Sequence, residues 1–189
     1  MHPRTWCFAA WALTVPFTDL PSAEAAEYTQ VNATASQISF TYNQMGSRVY
    51  GTFGKFEGSL DFDTRHPEVA HAALTIDVSS IDAGSSDANS ELQKPAWFDT
   101  ATWPVGTFES SRVQALGDNR YLITGQLTLK GLTREVDVQV VLKPQSGVGV
   151  FDGQIILKRD DFKIGSGEWA DGVVSNEIDI KFRVVAPQR

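Results

Sequence analysis

Asp61, Asp63 and His66 fall within one short stretch, and imidazole with carboxylates is a donor set that zinc accepts. His71 follows, with Pro67 between the two histidines, and this reads more naturally as a surface turn, so no metal ligand is assigned. Ser166 lies in Gly165-Ser166-Gly167, which lacks the spacing that lifts a hydrolase nucleophile onto a strained elbow. Asp160, Asp161, Glu168, Asp171 and Glu177 crowd the C-terminal part. A glycosidase-like pair needs two carboxylates opposed across a cleft, a relation that sequence does not display. Arg159 beside them suits an ion pair at a strand end or, through its planar fork, the anionic head of a ligand. No phosphate loop and no dinucleotide fingerprint is present. These residues assign no catalytic group, no metal and no cofactor.

The elements that must position any site read as strands. Ile38, Phe40 and Tyr42 alternate with polar residues, as do Phe56, Leu60 and Phe62. Leu74, Ile76 and Val78 repeat the pattern, followed by Tyr121, Ile123, Leu127 and Leu129, by Val136 to Leu142, and by Ile178 to Val184. A period of two marks half-buried antiparallel strands with one face in the core. Turn residues separate the runs at Asn43-Gln44-Met45-Gly46, Gly117-Asp118-Asn119, Lys130-Gly131 and Pro144-Gln145-Ser146-Gly147. The prediction is an all-β antiparallel barrel of about eight strands, a number compatible with one ligand cavity.

Residues 79–104 interrupt the alternation. Ser85-Ser86-Asp87 predicts a capped short helix running to Leu92 and Lys94, stopped by Pro95. Trp97, Phe98 and Trp103 follow, either to plug one barrel end or to form a lid over a ligand.

The N-terminus carries Arg4, an apolar run from Trp6 to Phe17 and the small residues Ala23 and Ala25. That run is too short to cross a bilayer and fits a cleaved secretory signal over 1–25. The expectation is a single domain over 26–189, exported to the periplasm or secreted, and not an integral membrane protein. The sole cysteine, Cys7, leaves with the signal. With 16 Lys and Arg against 23 Asp and Glu, the chain has a net charge of −7, which disfavours nucleic acid.

Alternation places many rings inward, Phe182 among them. The candidate ligand-binding set is Phe40, Tyr42, Phe53, Phe56, Phe62, Ile76, Trp97, Phe98, Phe108, Ile123, Phe162 and Trp169. Gly51, Gly58 and Gly125 stand at inward positions and remove side-chain volume. Large and small residues can interdigitate into a filled core or leave an apolar tunnel, and the pattern leaves both open.

Four stretches give the chain a family resemblance. They run from Ile38-Ser39-Phe40 through Gly51-Thr52-Phe53-Gly54-Lys55-Phe56 to Leu60-Asp61-Phe62-Asp63, and from Val78-Ser79-Ser80-Ile81-Asp82 through Trp97-Phe98-Asp99 to Phe108-Glu109-Ser110. The third is Gly125 to Thr133 and the fourth is Leu157-Lys158-Arg159-Asp160-Asp161-Phe162. In this order the chain resembles the YceI-like family of periplasmic proteins. The resemblance implies an extended lipocalin-like barrel whose elongated apolar cavity holds a long-chain amphiphile. A polyisoprenoid such as a quinone or prenyl lipid is the implied cargo, with fatty-acid-like chains in some relatives. It also implies no agreed catalytic activity and a link to membrane cytochromes of the b561 type. The Gly165–Asp171 loop is longer than in the shortest family forms.

Three functions compete at this stage. The leading one is a carrier of a long apolar chain. The second is an enzyme acting on that lipid, with the carboxylate-rich loop near Trp169 as its best feature. The third is a protein-binding, stress-response module with a packed barrel.

Overall fold

The computed structural model describes residues 25–166 and 172–189. Trp169 and nearly all of the expected export segment lie outside the described residues. The described chain forms one eleven-stranded antiparallel sheet: β1 (Glu27–Gln30), β2 (Gln37–Gln44), β3 (Ser47–Phe53), β4 (Phe56–Asp63), β5 (His71–Asp77), β6 (Ile81–Asp82), β7 (Val105–Gly117), β8 (Arg120–Leu129), β9 (Leu132–Gln145), β10 (Val148–Lys158) and β11 (Glu177–Pro187). Its order is β1-β4-β5-β7-β8-β9-β10-β11-β2-β3-β6. The expected count of about eight is thus corrected to eleven. β1 and β6 are too short to display alternation, and the chain over 47–63 bends at Gly54-Lys55 into two strands with different partners.

That bend curls the sheet into a barrel-like shape. β3 pairs with β2 and β4 pairs with β5, so one run of chain joins the two flanks. Ser80 pins the bend, its carbonyl accepting from Gly54 N at 3.1 Å and its hydroxyl from Lys55 N at 2.9 Å. At the opposite end β1 reaches β11 through the Tyr28–Gln188 bridge, and Arg189 N donates to Glu27 O at 2.9 Å.

Because every pairing is antiparallel, the connections sort to two ends. The turns at 45–46 and 130–131, the long connection 78–104 and the segments 159–166 and 172–176 share one end, the lid end. The segments 64–70, 118–119 and 146–147 share the other, the plug end, with both chain ends of the sheet. Met45 and Gly46 both have positive φ, as do Lys130 and Gly131, which is the turn whose twist matches two-residue hairpins. β7 carries a bulge between Ser110 and Arg112, so its inward phase changes from Phe108 and Ser110 to Val113.

The predicted helix, α1, spans Ser86–Leu92, and the Ser85 hydroxyl accepts from Ala88 N at 3.2 Å. It belongs to the lid end with the turns that carry Trp97 and Phe98.

Candidate functional site

The two ends of the barrel are filled differently. At the plug end Tyr28, Phe62, Tyr121 and Phe151 are buried together with Leu142 and Ala186. Their rings meet edge to face: Phe62–Tyr121 at 4.9 Å, Phe62–Phe151 at 5.3 Å and Tyr28–Phe151 at 5.4 Å. These are the separations at which aromatic quadrupoles attract. Burial raises the pKa of the Tyr28 and Tyr121 hydroxyls above the ordinary phenol value, so both stay neutral.

Between plug and lid lies a cavity of about 620 Å³. Its wall comes from β2 to β11, and its cover from α1 and the 97–98 turn. Phe40, Tyr42, Phe53, Ile76, Trp97, Phe98, Phe108, Ile123 and Phe162 all line it. Phe56 and Phe62 do not: Phe56 is half-buried at the start of β4, and Phe62 sits in the plug. Alternation reports which face a residue occupies and not its height along the barrel, and height separates Phe62 from the lining set. Trp103 does not line the cavity either; it packs outside against the turn at Gly131 and is partly exposed. The same alternation could have nominated Ile38, Leu127, Ile180 and Phe182, which do line the wall, along with Phe151 at its floor.

The inward glycines act differently from a simple removal of volume. A Cβ on Gly51 would stand 2.2 Å from the Phe40 ring, one on Gly125 2.5 Å from Phe108, and one on Gly153 2.0 Å from Phe182. Phe40 pairs directly with Gly51, and Phe182 with Gly153. Each ring therefore lies over the bare backbone of a neighbouring strand, against the wall and not across the lumen.

Polar lining groups gather mainly at the lid end: Gln44 on β2, Ser85, Asp87 and Glu91 around α1, and Arg159. Arg159 is buried, and its guanidinium donates to the carbonyls of Ile164 (3.0 Å), Gly165 (2.9 Å), Ser175 (3.2 Å) and Val174 (3.3 Å) and to Asp160 Oδ1 (3.2 Å). It ties residues 164–165 to residues 174–175 from inside. Lys130 holds the cover from another side, donating to Pro95 O at 2.8 Å and Lys163 O at 2.9 Å. Burial pulls its ammonium below the ordinary lysine value, opposed by Asp99. Gly165 N and Ser166 N both donate to Ala96 O, at 2.9 and 3.1 Å, so the two long connections are fastened to each other.

The other singled-out residues remain at the surface. Asp63 binds Arg65 at 2.7 Å, which holds its carboxyl down at about 2. His66 faces Glu68 at 3.4 Å. Among the described residues no group of three or more His, Cys, Asp or Glu is placed to hold a metal ion. No helix of the described residues is long and apolar enough to cross a membrane.

Residues 29–186 match the model of the YceI-like domain. Protein YceI of Escherichia coli is 31% identical over 176 residues, covering 89% of this chain and 90% of the relative. The crystal structure of BcnA from Burkholderia cenocepacia superposes with a TM-score of 0.81 at 37% identity, over 83% of this chain and 99% of that one. A polyisoprenoid binding domain from Saccharophagus degradans, implicated in plant cell wall breakdown, shares the fold with a TM-score of 0.67 at 20% identity, over 86% and 99% of the two chains. Its curled all-antiparallel sheet and the match along nearly all of that sheet make this chain a member of the YceI-like domain family.

Proposed function

We propose that this chain is a binding and carrier protein that holds a long-chain amphiphilic lipid in its barrel, with a polyisoprenoid or an isoprenoid quinone as cargo. The observation that carries this reading is the 620 Å³ cavity walled by apolar side chains. A stress-response module working through its outer face has no need of such a space. The polyisoprenoid-binding neighbour supports the chemical class of the cargo. Transfer of the chain from water would supply about 0.8 kcal/mol for each buried methylene. The polar groups around α1 would face the head, while aromatic walls contact the tail.

The binding set is then Phe40, Tyr42, Phe53, Ile76, Trp97, Phe98, Phe108, Ile123 and Phe162, with Trp169 beside the 159–166 segment in sequence. Binding is favoured over catalysis because the carboxylates lining the cavity, Asp87 and Glu91, sit four residues apart on one helix and do not oppose each other across a cleft. The export segment supports a periplasmic location for the single domain over 26–189, where a carrier would keep an insoluble chain in solution. A membrane cytochrome of the b561 type is the proposed quinone-handling partner.

The test is native mass spectrometry of the protein recovered from the periplasm without detergent, followed by extraction of any adduct. A stoichiometric isoprenoid or quinone is expected. A clean apo mass that persists after incubation with such lipids would overturn the reading.

A further inference from the structure

The cavity has a floor, and the floor is the aromatic plug. Phe151 is the one plug ring that lines the cavity. Behind it stand Phe62 at 5.3 Å and Tyr28 at 5.4 Å, and Phe62 is backed in turn by Tyr121 at 4.9 Å. All four are nearly inaccessible, with exposures of 4%, 2%, 0% and 5%. Tyr28 is locked in place because Gly149 lacks a Cβ, which would stand 2.6 Å from its ring. The bridge from Tyr28 to Gln188 closes the sheet at the same level. A chain entering from the lid end, where the polar lining groups gather, stops at Phe151.

We infer that this four-ring plug sets the length of chain that the cavity accepts, so that the protein selects cargo by size. The inference rests on the proposed lipid-binding reading and adds a limit to it. The wall gives the extent: β8 runs from Ile123 near the plug to Leu129 near the lid, about 20 Å at roughly 3.3 Å per residue. At roughly 5 Å for each extended isoprene unit of four carbon–carbon bonds, a chain of about four units lies along that wall. Units beyond these remain in water and add nothing to binding.

The experiment uses all-trans isoprenols of three, four, six and eight units, competed against one another for the delipidated protein and read by native mass spectrometry. In the wild type, binding tightens at least tenfold from three to four units and then stays within about threefold up to eight. Phe151→Ala lowers the floor and moves the plateau to longer chains. Ala72→Phe adds a ring to the wall beside the plug and moves it to shorter ones. This second variant fills space that is already empty, so it keeps the test decisive if Phe151→Ala does not fold. A wild type that binds with no plateau, or folded variants that keep the wild-type plateau, would overturn the size limit alone. No binding of any isoprenol by the wild type would overturn the lipid-binding reading together with it.

Discussion

The plug end and the cavity toward the lid are built from the same alternating strands and are both rich in aromatic rings, yet one is solid and the other hollow. At the plug end Tyr28 on β1 reaches Gly149 on β10, a strand it does not pair with, and the rings meet across the barrel. Along the cavity wall between plug and lid, Phe40, Phe108 and Phe182 each lie over a glycine of the adjacent strand. A ring that finds bare backbone beside it lies along the wall, whereas a ring that reaches across fills the lumen. The position of glycine relative to each aromatic residue therefore decides which part of an aromatic barrel stays open.

This contrast predicts unequal costs for similar substitutions. Phe62→Ala removes the centre of the ring cluster and should destabilise the protein by about 3–5 kcal/mol, measured by denaturant unfolding. Phe53→Ala removes a half-buried ring that already borders open space, and about 1–2 kcal/mol is expected. Equal losses would mean that the lid end is packed as tightly as the plug. Phe53→Arg should leave a folded protein that no longer retains lipid, while Phe62→Arg should fail to fold.

Gly153→Ala would force the Phe182 ring off the wall. A cost of about 1–3 kcal/mol is expected, together with weaker lipid retention, because the displaced ring moves into the lumen. Lys130→Met should cost about 1–2 kcal/mol through the lost donations to Pro95 O and Lys163 O. Its clearer sign would be faster amide exchange over residues 95–99 with unchanged protection at Tyr121.

The smallest effect concerns the outer face. Arg183 and Lys143 hold the Asp152 carboxyl down at about 2. A carboxyl depressed on folding stabilises the protein above its unfolded value near 4 and loses that contribution as pH falls toward 2. Asp152→Asn should therefore cost about 1 kcal/mol or less at neutral pH, with the difference from wild type shrinking as pH falls through about 2 and vanishing below it. A difference that persists there would place the effect in packing and not in charge.

Much of this architecture is legible along the chain. The period of two in Ile178–Val184 or Val136–Leu142 follows from burying one strand face, and the glycine-containing turns follow from the backbone angles that hairpins need. The cap at Ser85 is legible for the same local reason. β1 was not legible, because four residues with a single buried side chain, Tyr28, carry no period. The bulge in β7 was not legible either, since an extra residue changes the phase without changing composition.

An all-β antiparallel fold, its turns, its capped lid helix and an inward face crowded with rings follow from local patterning, because these depend on neighbours a few residues apart. Which inward rings face empty space follows from contacts between distant strands. Phe62 and Phe40 sit on equivalent faces of their strands, but one meets Tyr121 and Phe151 across the barrel while the other lies over Gly51 beside it. That distinction rests on strand order, register and height along the barrel, which bring together residues far apart in the chain.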